Sequence, residues 1–77
     1  MPNVAAQPRE KVVRAITRAY KWRHLREGGK HTVYCKDGVP EIITIPRHKK
    51  ISAGVIRNIC KILGVTVEEF VRIIRDC

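Results

Sequence analysis

Gly28-Gly29-Lys30-His31-Thr32-Val33-Tyr34 is the stretch whose reading decides the fold. Glycine has no Cβ, accepts positive φ freely and lets a ligand approach the main chain, so Gly28-Gly29 predicts a tight turn. The β-rich run His31 to Lys36 that follows predicts a strand, and Glu41 to Ile45 predicts another. Between them lies Lys36-Asp37-Gly38-Val39-Pro40, whose Asp-Gly favours a tight reversal, so the two strands form an antiparallel hairpin. Pro46 stops the second strand because it cannot donate to a ladder. Upstream of the glycines, Trp22 to Glu27 reads as an edge strand entering the turn, which completes a three-stranded antiparallel sheet.

A sheet of three strands needs one covered face. The sequence supplies helices for it. Pro8 suits a first helical position, where its missing N–H had no partner to lose. Val12, Val13, Ile16, Ala19 and Tyr20 then recur at helical spacing, with Arg14, Arg18 and Lys21 on the other side. Ser52 predicts the cap of a second helix running to about Leu63, with Val55, Ile56, Ile59, Cys60 and Leu63 inward and Gly64 closing it. Thr66-Val67-Glu68-Glu69 is a capping box opening a last helix, whose apolar side is Phe70, Val71, Ile73 and Ile74. The order is α-β-β-β-α plus a C-terminal helix, an α+β fold in which the first two long helices lie together on one face. Residues 1–7 read as a flexible N-terminal segment and 8–77 as one domain.

Sixteen Lys and Arg stand against seven Asp and Glu, a net charge of +9. The excess is uneven: residues 1–61 hold fourteen bases and four acids, or +10, and residues 62–77 two bases and three acids, or −1. Such a body reads as an electrostatic footprint for a polyanion. Nucleic acid fits better than a membrane surface, because no helix joins a basic face to a Trp/Phe/Leu face. No apolar run approaches a membrane span, and the N-terminus lacks the pattern of a signal peptide, so the expected location is the cytoplasm. Cys35, Cys60 and Cys77 are odd in number and widely spaced, which fits neither a disulfide framework nor a zinc site. Cys60 reads as core, Cys35 as a strand residue and Cys77 as a terminal thiol.

The residues beside the glycine pair carry the chemistry. Lys30 offers a point charge and His31 an imidazole, the side-chain type that exchanges protons near neutral pH. That pairing suits a phosphodiester, although a glycine pair is often only a turn and a surface histidine often idle. Arg47-His48-Lys49-Lys50 is a compact basic run after a strand and before a helix, which favours phosphate contacts by Arg47, Lys49 and Lys50 over simple solvation. His48 reads as structural, fixing the turn through nearby backbone. Trp22 reads as packing against the first helix, and His24 as a surface strand residue.

Gly29-Lys30-His31 with Thr32-Val33-Tyr34, then Ile45-Pro46-Arg47-His48-Lys49, then Ser52-Ala53-Gly54-Val55-Ile56-Arg57-Asn58-Ile59 resemble the HicA toxins, small mRNA interferases of toxin–antitoxin pairs. The closing Leu63-Gly64-Val65-Thr66 with Glu68-Glu69-Phe70 also fits, so the likeness covers roughly residues 8 to 74. It implies a fold similar to double-stranded-RNA-binding domains, RNA as substrate, and a HicB-type antitoxin that covers the site. Carried onto this sequence, the catalytic histidine is His31. Lys30 stands where many family members have serine. The implied reaction needs no cofactor and no metal, since the 2′-OH of RNA is the nucleophile, with His31 as base or acid and Lys30 as phosphate clamp. The alternative is a non-catalytic RNA-binding module of double-stranded-RNA-binding type, for which basic groups suffice.

Overall fold

A computed structural model describes residues 5–76. The chain runs β1 (Gln7–Pro8), α1 (Arg9–Arg14, continued by a π turn over Ala15–Ala19), β2 (Arg23–Glu27), β3 (His31–Cys35), β4 (Ile43–Pro46), β5 (Lys50–Ile51), α2 (Ala53–Leu63) and α3 (Val67–Asp76). The expected α+β fold is present. Antiparallel strands lie in the order β2-β3-β4, and the Asp37-Gly38 reversal closes through Val39 N–H to the Lys36 carbonyl at 3.1 Å, with Gly38 at φ 83°.

Register gives the sheet two distinct faces. Thr32 pairs with Ile45 and Tyr34 with Ile43, and Tyr34, Ile43 and Ile45 join the core beneath the helices. Alternation turns His31, Val33 and Cys35 to the other face, where His31 is exposed, Cys35 half-buried and Val33 only 4% exposed. Phe70, Ile56, Ile59 and Ile74 meet the sheet residues in the core, each at most 1% exposed. Burying one such side chain contributes about 1.5–3 kcal/mol, so the covered face holds the fold together. The helix arrangement departs from expectation: α3 packs against both α1 and α2 and joins them, because its apolar side is wide enough to meet two neighbours.

Local signals explain most boundaries. Ser52 Oγ accepts from Val55 N–H at 3.4 Å, Gly64 closes α2 at φ 74°, and Thr66 Oγ1 accepts from Glu69 N–H at 3.1 Å. Three corrections concern the first helix. Pro8 is extended (ψ 133°) and pairs with Lys50 rather than opening the helix. The stripe is also shifted, with Ala15 buried and Ala19 exposed, because a π turn rotates each successive residue through a smaller angle. Lys21, at φ 64°, then turns the chain sharply, and Trp22 N–H reaches back to the Ile16 carbonyl at 2.9 Å. Trp22 is buried in the core beside that helix, as its sequence reading required.

The β1–β5 ribbon was not foreseen. Gln7 faces Ile51 and Pro8 faces Lys50, so ordered structure begins inside the segment set aside at 1–7. The part of that segment at 1–4, and Cys77, lie outside the described residues. Cys60 is buried, where burial pushes its thiol up, and Cys35 is half-buried on β3.

Candidate nucleic-acid interface

The turn of the glycine pair is built by backbone bonds on both sides. Gly28 N–H donates to the His31 carbonyl at 2.7 Å, and Arg47 N–H donates to the Lys30 carbonyl at 3.2 Å. His31 lies opposite Pro46 in the β3–β4 register. The glycine-turn motif and the Pro46-Arg47-His48 segment, distant in sequence, therefore meet at one end of the sheet. Glycine at position 28 is explained by closeness, since a Cβ there would sit 3.2 Å from the His31 carbonyl oxygen. The expected positive φ is not the reason: the positive-φ glycines among the described residues are Gly38 and Gly64.

A polar network buttresses this end of the sheet. Arg47 Nη2 donates to Glu27 and also to the Gly28 carbonyl at 2.9 Å. Thr32 Oγ1, only 3% exposed, donates to Glu27 Oε1 at 3.0 Å and accepts from Arg9 Nη2 at 2.7 Å. Arg9 Nε also donates to the Pro46 carbonyl at 3.1 Å. His24 Nε2 stands 2.5 Å from Glu27 Oε2, a ring N–H meeting a carboxylate. His24 is the largest pull on the Glu27 carboxyl, opposed by desolvation and aided by Thr32 and Arg47, and the sum holds it below the usual range. Glu27 thus remains an ionised hub for three donors around the turn.

The basic run is tethered rather than loose. Arg9 N–H donates to the Lys49 carbonyl at 2.8 Å, Lys50 belongs to β5, and Arg47 is anchored to the turn. His48 makes no side-chain hydrogen bond among the described residues, so Arg47 performs the turn-fixing expected of His48. Lys30, His31, Lys49 and Lys50 are exposed and carry no ion pair or side-chain hydrogen bond among the described residues. The three lysine charges face solvent without a partner among the described residues. Arg47 differs, since part of its guanidinium is committed to the protein.

Arg9, Glu27 and Thr32 were not singled out from sequence as binding this end together. Glu27 left one signal, as the only acid between Glu10 and Asp37 and adjacent to the glycine pair. Arg9 left none, because its partners are 23 and 37 residues away.

Fold and site together define a small α+β domain with a histidine and unpaired lysines gathered at one end of its sheet. Residues 9–65 match the family of the HicA toxin of bacterial toxin–antitoxin systems, and the chain belongs to that family. Membership makes it the toxin of such a pair, with an antitoxin partner, RNA as the general substrate and a nuclease-type activity. Comparison with curated proteins and with solved structures gives no match. No helix of the described residues is long and apolar enough to cross a membrane.

Proposed function

We propose that the protein is a metal-independent endoribonuclease, an mRNA interferase of a type II toxin–antitoxin pair, with His31 as its catalytic group. What carries this reading is His31 itself: exposed, without a hydrogen bond or ion pair among the described residues, beside Lys30 and the tethered run Arg47–Lys50. With no protein partner among the described residues, the exposed imidazole keeps both ring nitrogens open to a substrate proton. RNA brings its own nucleophile, so the enzyme needs to move a proton from the 2′-OH and steady the charge on phosphorus. A positioned imidazole typically supplies about 10² to 10⁴-fold for the first task, and cationic donors serve the second.

In this reading Lys30 clamps the scissile phosphate, and Lys49, Lys50 and the uncommitted donors of Arg47 hold the flanking backbone. A HicB-type antitoxin silences the enzyme by covering His31 and these bases, and the pair works in the cytoplasm.

The test is cleavage of labelled RNA by the wild type with and without EDTA, with the product ends determined. Full cleavage in EDTA, leaving a 2′,3′-cyclic phosphate, is expected. Loss of cleavage on chelation contradicts the metal-independent mechanism, and tight binding without any cleavage favours the RNA-binding module instead.

A further inference from the structure

We propose that the cleft between the start of α1 and the β2–β3 hairpin binds a phosphate group of the RNA strand. The inference rests on the reading that the protein binds RNA, and it concerns the face of β3 opposite His31. The cleft has a volume of about 410 Å³ and is lined by Arg9, Glu27, Thr32, Tyr34 and Arg47.

Tyr34 is the telling residue. It is 5% exposed, lines the cleft, and its hydroxyl has no hydrogen-bond partner among the described residues. The ring is buried but the hydroxyl is not a buried orphan: it opens into the cleft, where it can donate to a ligand acceptor. Burial pushes the phenol up, which keeps it a donor. The two guanidinium groups add more donors. Arg9 uses Nε and Nη2 on the protein and Arg47 uses Nη2, which leaves Nη1 of each without a protein acceptor among the described residues.

Glu27 is the one acid in the cleft, and it is occupied by His24, Thr32 and Arg47. Two positive charges therefore face one engaged negative charge, and the cleft stays cationic. Forked guanidinium donors plus a hydroxyl match the several acceptor oxygens of a phosphate. Thr32 in the cleft and His31 on the other face are chain neighbours, so a strand gripped here passes the Gly28–Lys30 turn on its way to His31.

The test uses wild type and Tyr34→Phe, a change that removes a hydroxyl with no protein partner to lose. Inorganic phosphate is titrated while the amide resonances of Glu27 and Thr32 are followed. Both proteins are then titrated with a fully 2′-O-methylated RNA oligonucleotide, which cannot be cut. Saturable phosphate shifts at those amides are expected, with oligonucleotide affinity falling about tenfold in Tyr34→Phe. Equal oligonucleotide affinity in the two proteins, or no phosphate response at Glu27 and Thr32, overturns the proposal. Because the oligonucleotide is uncleavable, this outcome is independent of whether His31 performs catalysis.

Discussion

Replacing Thr32 by valine probes the network that joins the turn, the first helix and β4. The two side chains have nearly the same shape, and position 32 is 3% exposed, so the change exchanges a buried hydroxyl for a methyl without opening a cavity. The bond that counts is Arg9 Nη2 to Thr32 Oγ1 at 2.7 Å. A hydrogen bond from a charged donor contributes about 1.5–3 kcal/mol net. Part of that returns through the apolar gain of the new methyl, about 0.8 kcal/mol. Exposed Glu27 can replace its lost donor with water and adds nothing to the sum. The expected net loss is about 1–2 kcal/mol, which in a domain of this size lowers Tm by about 4–16 °C. Thermal and urea unfolding followed by circular dichroism measure it, with Thr32→Ser as the control that restores the hydroxyl. A valine variant as stable as the wild type refutes the claim that this network holds the turn.

Three further outcomes follow from particular contacts. Folding depresses the Glu27 pKa, so the folded state binds fewer protons there, and the stabilisation is present above the ordinary glutamate value and lost as pH falls through the lowered one. Urea midpoints taken from neutral pH down to about pH 3 should therefore fall more steeply in the wild type than in Glu27→Gln, and parallel acid limbs contradict the assignment. Gly28→Ala forces a Cβ to 3.2 Å from the His31 carbonyl and should weaken the Gly28–His31 bond, read as faster amide exchange at Gly28 and His31. The double variant Lys49→Ala, Lys50→Ala should reduce the slope of log affinity against log salt by about 1.4, since each contact to single-stranded RNA contributes about 0.7. An unchanged slope removes these two lysines from the interface.

Local chemistry was legible where a single residue or short pattern decides the outcome. Ser52, Gly64, Thr66 and the Asp37-Gly38 reversal all act within a few residues of themselves, and the structure places each as its sequence signal indicates. The sheet was legible because Tyr34, Ile43 and Ile45 bury themselves on one face, Tyr34 in register with Ile43. What sequence did not reveal depends on distant partners. Gln7–Pro8 becomes a strand only because Lys50–Ile51 arrives beside it, and two-residue strands carry no periodicity of their own. The π turn has no compositional signature in Ala15–Ala19. At the site, His31, Lys30 and the basic run stood out by residue type, whereas Arg9 and Thr32 matter through contacts made across the fold. Arg47 was visible as a charge, but its bond to the Gly28 carbonyl was not.

The central claim is that His31 moves the proton in RNA cleavage, and cleavage of labelled RNA by wild type and His31→Ala tests it most directly. His31 is exposed and makes no side-chain hydrogen bond among the described residues, so the variant should fold as the wild type does by circular dichroism. It should also bind uncleavable RNA with nearly unchanged affinity. Cleavage by the wild type with none by His31→Ala is the result the account requires; equal cleavage by the two folded proteins contradicts it.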